Sequence, residues 1–125
     1  MKGGVDSEAR ASEFRYLMDF LYSLAEGKCL ITCKTVDCFF VNMGFSGRVI
    51  DVNIQLSRLC ILFDNGHEIQ VFWEYDDVPA LSLVQTRYLN TFSVKHFQDP
   101  FFEWHLKIKG GEYRVGTETK KVLPS

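Results

Sequence analysis

The spacing of apolar residues changes once along this chain, from helical to alternating. Over residues 7–26, Phe14, Leu17, Met18, Leu21 and Leu24 or Ala25 recur at helical spacing, which puts them on one face of an amphipathic helix. Asp6 or Ser7 can cap its start, Glu8 suits its positive end, and Gly27 is placed to terminate it. Tyr16 and Tyr22 fall off the centre of that stripe. Such a helix is marginal alone in water and needs an apolar surface to lie on.

From Lys28 onward the period falls to two. Residues 29–33 and 37–41 are short β-prone runs, and Asn42, Gly44 and Gly47 punctuate the link to a strand over 48–52. A further run over 58–63 meets Asn65-Gly66 and continues over 67–75, the strongest short-range signal for a β-hairpin. A two-residue loop there would set Asp64 opposite His67, Leu62 opposite Ile69 and Cys60 opposite Val71. Ile69, Val71 and Trp73 would then share a face with Leu62 and Cys60, while Glu68, Gln70, Phe72 and Glu74 point the other way. The 58–63 strand is apolar on both sides, which predicts a central position.

Asp76-Asp77-Val78-Pro79 reads as a cap followed by Pro at a first helical position, predicting a short helix through Ala80, Leu81, Val84 and Tyr88. Residues 92–97 alternate again until Asp99-Pro100. Phe102, Trp104, Leu106 and Ile108 then alternate with Glu103, His105, Lys107 and Lys109, the pattern of a strand with one wet face. Gly110-Gly111 predicts a two-residue turn that returns Tyr113 and Val115 opposite Ile108 and Leu106.

These elements predict a single α+β domain over residues 7–116, between a disordered stretch at 1–6 and a flexible tail at 117–125. Its architecture is an N-terminal helix packed on a strongly curved antiparallel sheet, or a partly open small β-barrel, of six or seven strands with a C-terminal β-hairpin. Composition supports a packed core: 46% of the 125 residues are hydrophobic and 14% aromatic, with 11 Phe. A net charge of −2 without a block of Lys or Arg disfavours nucleic acid as partner. No run approaches the ~20 apolar residues of a membrane span, so no membrane association is expected. Cys29, Cys33, Cys38 and Cys60 sit in β-like apolar contexts and read as buried reduced thiols, which predicts a cytoplasmic protein.

Candidate chemistry adds little. Cys29 and Cys33 at the ends of one extended strand would lie about 13 Å apart, too far for one tetrahedral ion, so neither a metal nor a cofactor is predicted. Cys38 with His67 or His96, oriented by Asp51 or Asp64, would need the fold to assemble it, and no nucleophile elbow or Gly-rich phosphate loop accompanies it. No catalytic residue is therefore assigned. The aromatics are more suggestive. Phe45, Phe72 and Tyr75 beside Glu74, Asp76 and Asp77 could hold an ammonium group or a Lys-bearing peptide. An alternative pocket inside the curved sheet would use Arg48, Asp51, His67 and His96.

The helix FRYLMDFLYSLAEG, the segment FSGRVIDVNIQ with Gly47 at a bend, and the hairpin LCILFDNGHEIQVFWEYDDV together resemble the small five-stranded barrels of the Sm-like and Tudor-like kinds over residues 14–82. The Sm-like resemblance implies a ring oligomer on single-stranded RNA. The Tudor-like resemblance implies a peptide-binding cage walled by Phe45, Phe72, Trp73 and Tyr75. Asp51 and Asn53 follow Gly47 as in an Sm first motif, but closer together, and the acidic FWEYDDV stands where a basic or glycine-bearing second motif would be. The expectation is a non-catalytic binding or adaptor module for a protein partner, with a homo-oligomer compatible. The alternatives are a small-molecule or nucleotide-binding domain or enzyme, and third an Sm-like RNA binder.

Overall fold

The helical stripe folds as one helix, α1 (Gly3–Glu26), which starts before the Asp6 and Ser7 caps. The computed structural model describes residues 3–37, 44–55, 57–72, 81–96 and 102–123, of which 3–10, 35–37, 96 and 102 contribute backbone only. Leu17, Leu21 and Leu24 are buried as their spacing predicts, and Phe20 joins them. Its ring lies 4.7 Å from Phe92 and 5.9 Å from Tyr113.

The helix terminates differently from expectation. Cys29 N–H bonds to the Leu24 carbonyl and Lys28 N–H to that of Ala25, the two bonds of a Schellman motif. The left-handed residue is Lys28 (φ 48°), where Gly is usual. Gly27 precedes it for another reason: a Cβ there would overlap the Glu112 carbonyl. Lys28 is held by Arg48, whose Nη1 donates to its carbonyl at 2.7 Å.

Among the described residues eight strands follow: β1 (Leu30–Asp37), β2 (Gly44–Gln55), β3 (Arg58–Phe63), β4 (Glu68–Phe72), β5 (Leu81–Gln85), β6 (Thr91–His96), β7 (Phe102–Val115) and β8 (Glu118–Val122). They form one antiparallel sheet in the order β4-β3-β2-β1-β7-β6-β5, with β8 added to β7. Two long strands turn its corners. β2 pairs with β1 through its first half and with β3 through its second; β7 pairs with β1 and β6, then with β8. At the β2 corner a register shift leaves Ile50 and Asp51 both exposed, the mark of a β-bulge, which bends a strand.

Helix α1 packs on β2, β5 and β7. Leu21 meets Leu59, Ile61, Ile69 and Val71 from one end of the sheet and Val94, Trp104 and Leu106 from the other around a small apolar void. The sheet therefore curls around the helix without closing, and the fold is α+β with its core on the inner face. No helix among the described residues is long and apolar enough to cross a membrane.

Four local expectations change. First, the β3–β4 loop has three residues. Phe63 N–H bonds to the His67 carbonyl and Gly66 N–H to that of Phe63, while Gly66 (φ 88°) is left-handed, as in a turn closed by a glycine bulge. The pairs become Cys60 with Gln70 and Leu62 with Glu68. A one-residue slip exchanges faces, so Leu59, Ile61 and Phe63 look inward and Cys60 and Leu62 outward. β3 keeps its central place between β2 and β4.

Second, residues 81–85 form strand β5 in place of the expected helix. Pairing with β6 decides this, with Leu81 buried opposite His96. Third, β7 continues through Gly110-Gly111 without reversing. A Cβ on Gly111 would stand 2.8 Å from the Cys29 Cα, so the glycine serves close approach to the end of α1. Fourth, the C-terminal hairpin is β7–β8, with Val115 opposite Glu118, and the segment expected to fray contains its second strand.

Candidate functional site

Along β4 the alternation divides two kinds of surface. Ile69 and Val71 are buried, while Glu68, Gln70 and Phe72 face outward. Gln70 Nε2 donates to Glu68 Oε1 at 2.7 Å, and the Cys60 thiol points at Glu68 Oε2 from 3.6 Å. Burial, then the Glu68 carboxylate, raises that thiol above its ordinary value. Phe72 is 61% exposed at the end of the strand, opposite Arg58. Trp73, Glu74, Tyr75, Asp76 and Asp77 lie outside the described residues.

Phe45 is not a neighbour of Phe72. It stacks on His67 at 4.9 Å and meets buried Phe63 edge-on at 5.0 Å, so it seals the core rim beside the β3–β4 turn. Phe72 is five residues further along β4, about 17 Å away, and faces outward. The structure thus pairs Phe45 with His67, which belong to different expected sites, and separates Phe45 from Phe72.

The alternative pocket also disperses. Arg48 is tied to the end of α1 and to the β3–β4 turn: its N–H bonds to Asp64 Oδ1 at 3.1 Å and its carbonyl accepts from Asp64 N–H. Asp51 is exposed beyond the bulge. His96 ends β6, three strands from β2, and lies toward the Asp37 end of β1, whereas Arg48 pairs with Leu30 at the other end. Asn65 completes the turn, with Nδ2 donating to the Ser46 carbonyl at 2.6 Å and Oδ1 accepting from His67 N–H at 3.2 Å.

The thiols of Cys29 and Cys33 face the core. Burial pushes them up to about 11 and about 12, which keeps both protonated at neutral pH. Cys38 lies outside the described residues.

A site that the sequence reading missed lies on the outer face of β1, β6 and β7. There a hollow of about 730 Å³ is lined by Lys34, Arg87, Tyr88, His105, Lys107 and Lys109, among others. The registers assemble it: Lys107 sits between Thr32 of β1 and Thr91 of β6, and His105 sits between Lys34 and Ser93. Its wall is the β5–β6 loop, which Asn90 fastens to β7 by accepting from Ile108 N–H at 2.8 Å and from the Tyr113 hydroxyl at 3.3 Å. The alternation of His105, Lys107 and Lys109 was visible in sequence; the residues that join them depend on strand order.

Among the described residues, the Glu103 carboxylate stands in the next row of that face. Glu103 Oε1 lies 3.0 Å from His105 Nε2, an enclosed close approach rather than an aligned hydrogen bond. Burial raises the Glu103 carboxyl, but the Ser93 hydroxyl, His105 and Lys95 outweigh it and hold it below its ordinary value. Comparison of the chain with known protein families, curated proteins and solved structures finds no match.

Proposed function

We propose that this protein is a non-catalytic binding module that recognises a protein partner through β4. Phe72 carries the reading, as a large aromatic side chain 61% exposed on a strand whose alternate residues are in the core. Such a side chain is already held in place by its strand, and aromatic anchors of this kind dominate interface energetics. β4 ends the strand order among the described residues, and a terminal strand can accept an added one from a partner. Glu68 on the same outer face as Phe72, and Glu74, Asp76 and Asp77 next in sequence, suit a partner strand bearing Lys or Arg. Self-association through the same edge would give a homo-oligomer, and a cytoplasmic setting fits the reduced thiols.

The test is affinity capture from the native host with the wild-type chain, Phe72→Ala and Glu74→Ala. Phe72→Ala is expected to weaken capture of a specific partner at least tenfold, about 1.4 kcal/mol or more, with unchanged thermal unfolding. Glu74→Ala should weaken it less and make it less salt-sensitive. Undiminished capture by both variants removes this site. Light scattering of the isolated chain reads the oligomer directly.

A further inference from the structure

The chain carries a net charge of −2, yet its sheet gathers Lys34, Arg87, Lys107 and Lys109 around one hollow. Like charges brought together in this way destabilise the folded state unless something answers them. Among the described residues no carboxylate pairs with them. Arg114 pairs with Glu26 and His105 approaches Glu103, and neither contact includes these four. Arg87 instead lies 4.9 Å over the Tyr88 ring and donates to its hydroxyl at 2.8 Å. The Glu103 carboxylate in the adjoining row is already engaged by Ser93, His105 and Lys95.

We infer that this hollow binds a small ligand bearing two or more phosphate groups. Lys107 and Lys109 are two apart on β7, so their Cα atoms are about 7 Å apart; Lys34 is a diagonal neighbour of Lys107 across β1, at about 7–8 Å. One carboxylate cannot serve cations spread over that span, whereas a di- or triphosphate chain presents oxygens to each. Lysine ammonium groups are phosphate-binding point charges, and Thr91 beside Lys107 adds a hydroxyl to the lining, while that of Thr32 is shared with Ser46 at 3.0 Å. The volume of about 730 Å³ lies within the range of small-molecule sites. Asn90 holds the wall in place without a ligand, so little ordering remains to oppose binding.

A nucleic-acid strand is the less suitable occupant. Strand-binding surfaces stack successive bases on several aromatic rings. Among the described residues the rings lining this hollow are Tyr88 and His105, and Arg87 already covers one face of Tyr88, which leaves no run of stacking platforms. The β5–β6 loop also bounds the hollow, where a strand needs a continuous groove.

The deciding experiment is calorimetric titration of the full chain with inorganic tripolyphosphate, inorganic phosphate and a ten-nucleotide single-stranded RNA. Tripolyphosphate is expected to bind at one site, at least tenfold tighter than phosphate. Lys107→Gln and Lys34→Gln should each weaken it about tenfold, while Lys121→Gln on β8 leaves it unchanged. All three side chains are exposed, and circular dichroism of each variant confirms its fold. Absence of tripolyphosphate binding at millimolar concentration, or equal weakening by Lys121→Gln, overturns the assignment. So does RNA binding tighter than tripolyphosphate with affinity that grows with strand length.

Discussion

The β3–β4 turn and the middle of β7 carry similar local sequence, a glycine-bearing pair between alternating apolar runs, and only the first reverses the chain. At Asn65-Gly66 the chain is in open solvent: a Cβ on Gly66 would meet nothing within 4 Å. The glycine supplies a left-handed φ, and Asn65 ties the turn to β2. At Gly110-Gly111 the chain lies against the end of α1, where a Cβ on Gly111 would press on Cys29. The second pair marks a close approach of backbones, and β7 continues through it to accept β8. A glycine pair therefore signals a position where a side chain is excluded or a left-handed φ is needed, and packing decides which.

That contrast can be broken by substitution. Gly111→Ala must accommodate both a φ of 109° and contact with backbone atoms of Cys29. The expected loss is about 2–4 kcal/mol, read from the denaturant midpoint. Gly66→Ala meets only the cost of its φ of 88°, about 1 kcal/mol. If the two cost the same, close approach is not what Gly111 provides.

The smallest expected effect tests the three-residue turn through its consequence for faces. Cys60 lies outward and is only partly buried, while Cys29 and Cys33 are sealed in the core. Peptide mapping after brief alkylation of the native protein should find Cys60 modified well ahead of those two, with Cys60→Ser shifting stability by less than about 0.5 kcal/mol. Labelling of Cys60 only on global unfolding would restore the two-residue loop, which turns that thiol inward.

Much of the fold was legible because its causes are local. The stripe from Leu17 to Leu24 required a partner surface, and the alternation in β4 and β7 required a sheet with one inner face. Phe20, three residues after Leu17 and four before Leu24, belongs to the same face and completes the stripe. The 81–85 segment was misread because Leu81, Val84 and Tyr88 fit helical spacing as well as strand spacing, and only pairing with β6 separates the two. Of the expected sites, the outward place of Phe72 followed from period two alone. The basic hollow did not, because Lys34, Arg87 and Lys107 are far apart in sequence and meet only when β1 and β6 flank β7.

The sequence by itself determined the element types with strong periodicity, the inner and outer faces of β4, and the presence of enough apolar surface for one core. These depend on neighbours within a few residues, where backbone geometry alone relates side chains. Only the tertiary structure decided the β3 register, the meaning of Gly110-Gly111 and the gathering of cations on β1, β6 and β7. Each depends on which strands lie side by side, and strand order is set by the shared burial of residues far apart along the chain.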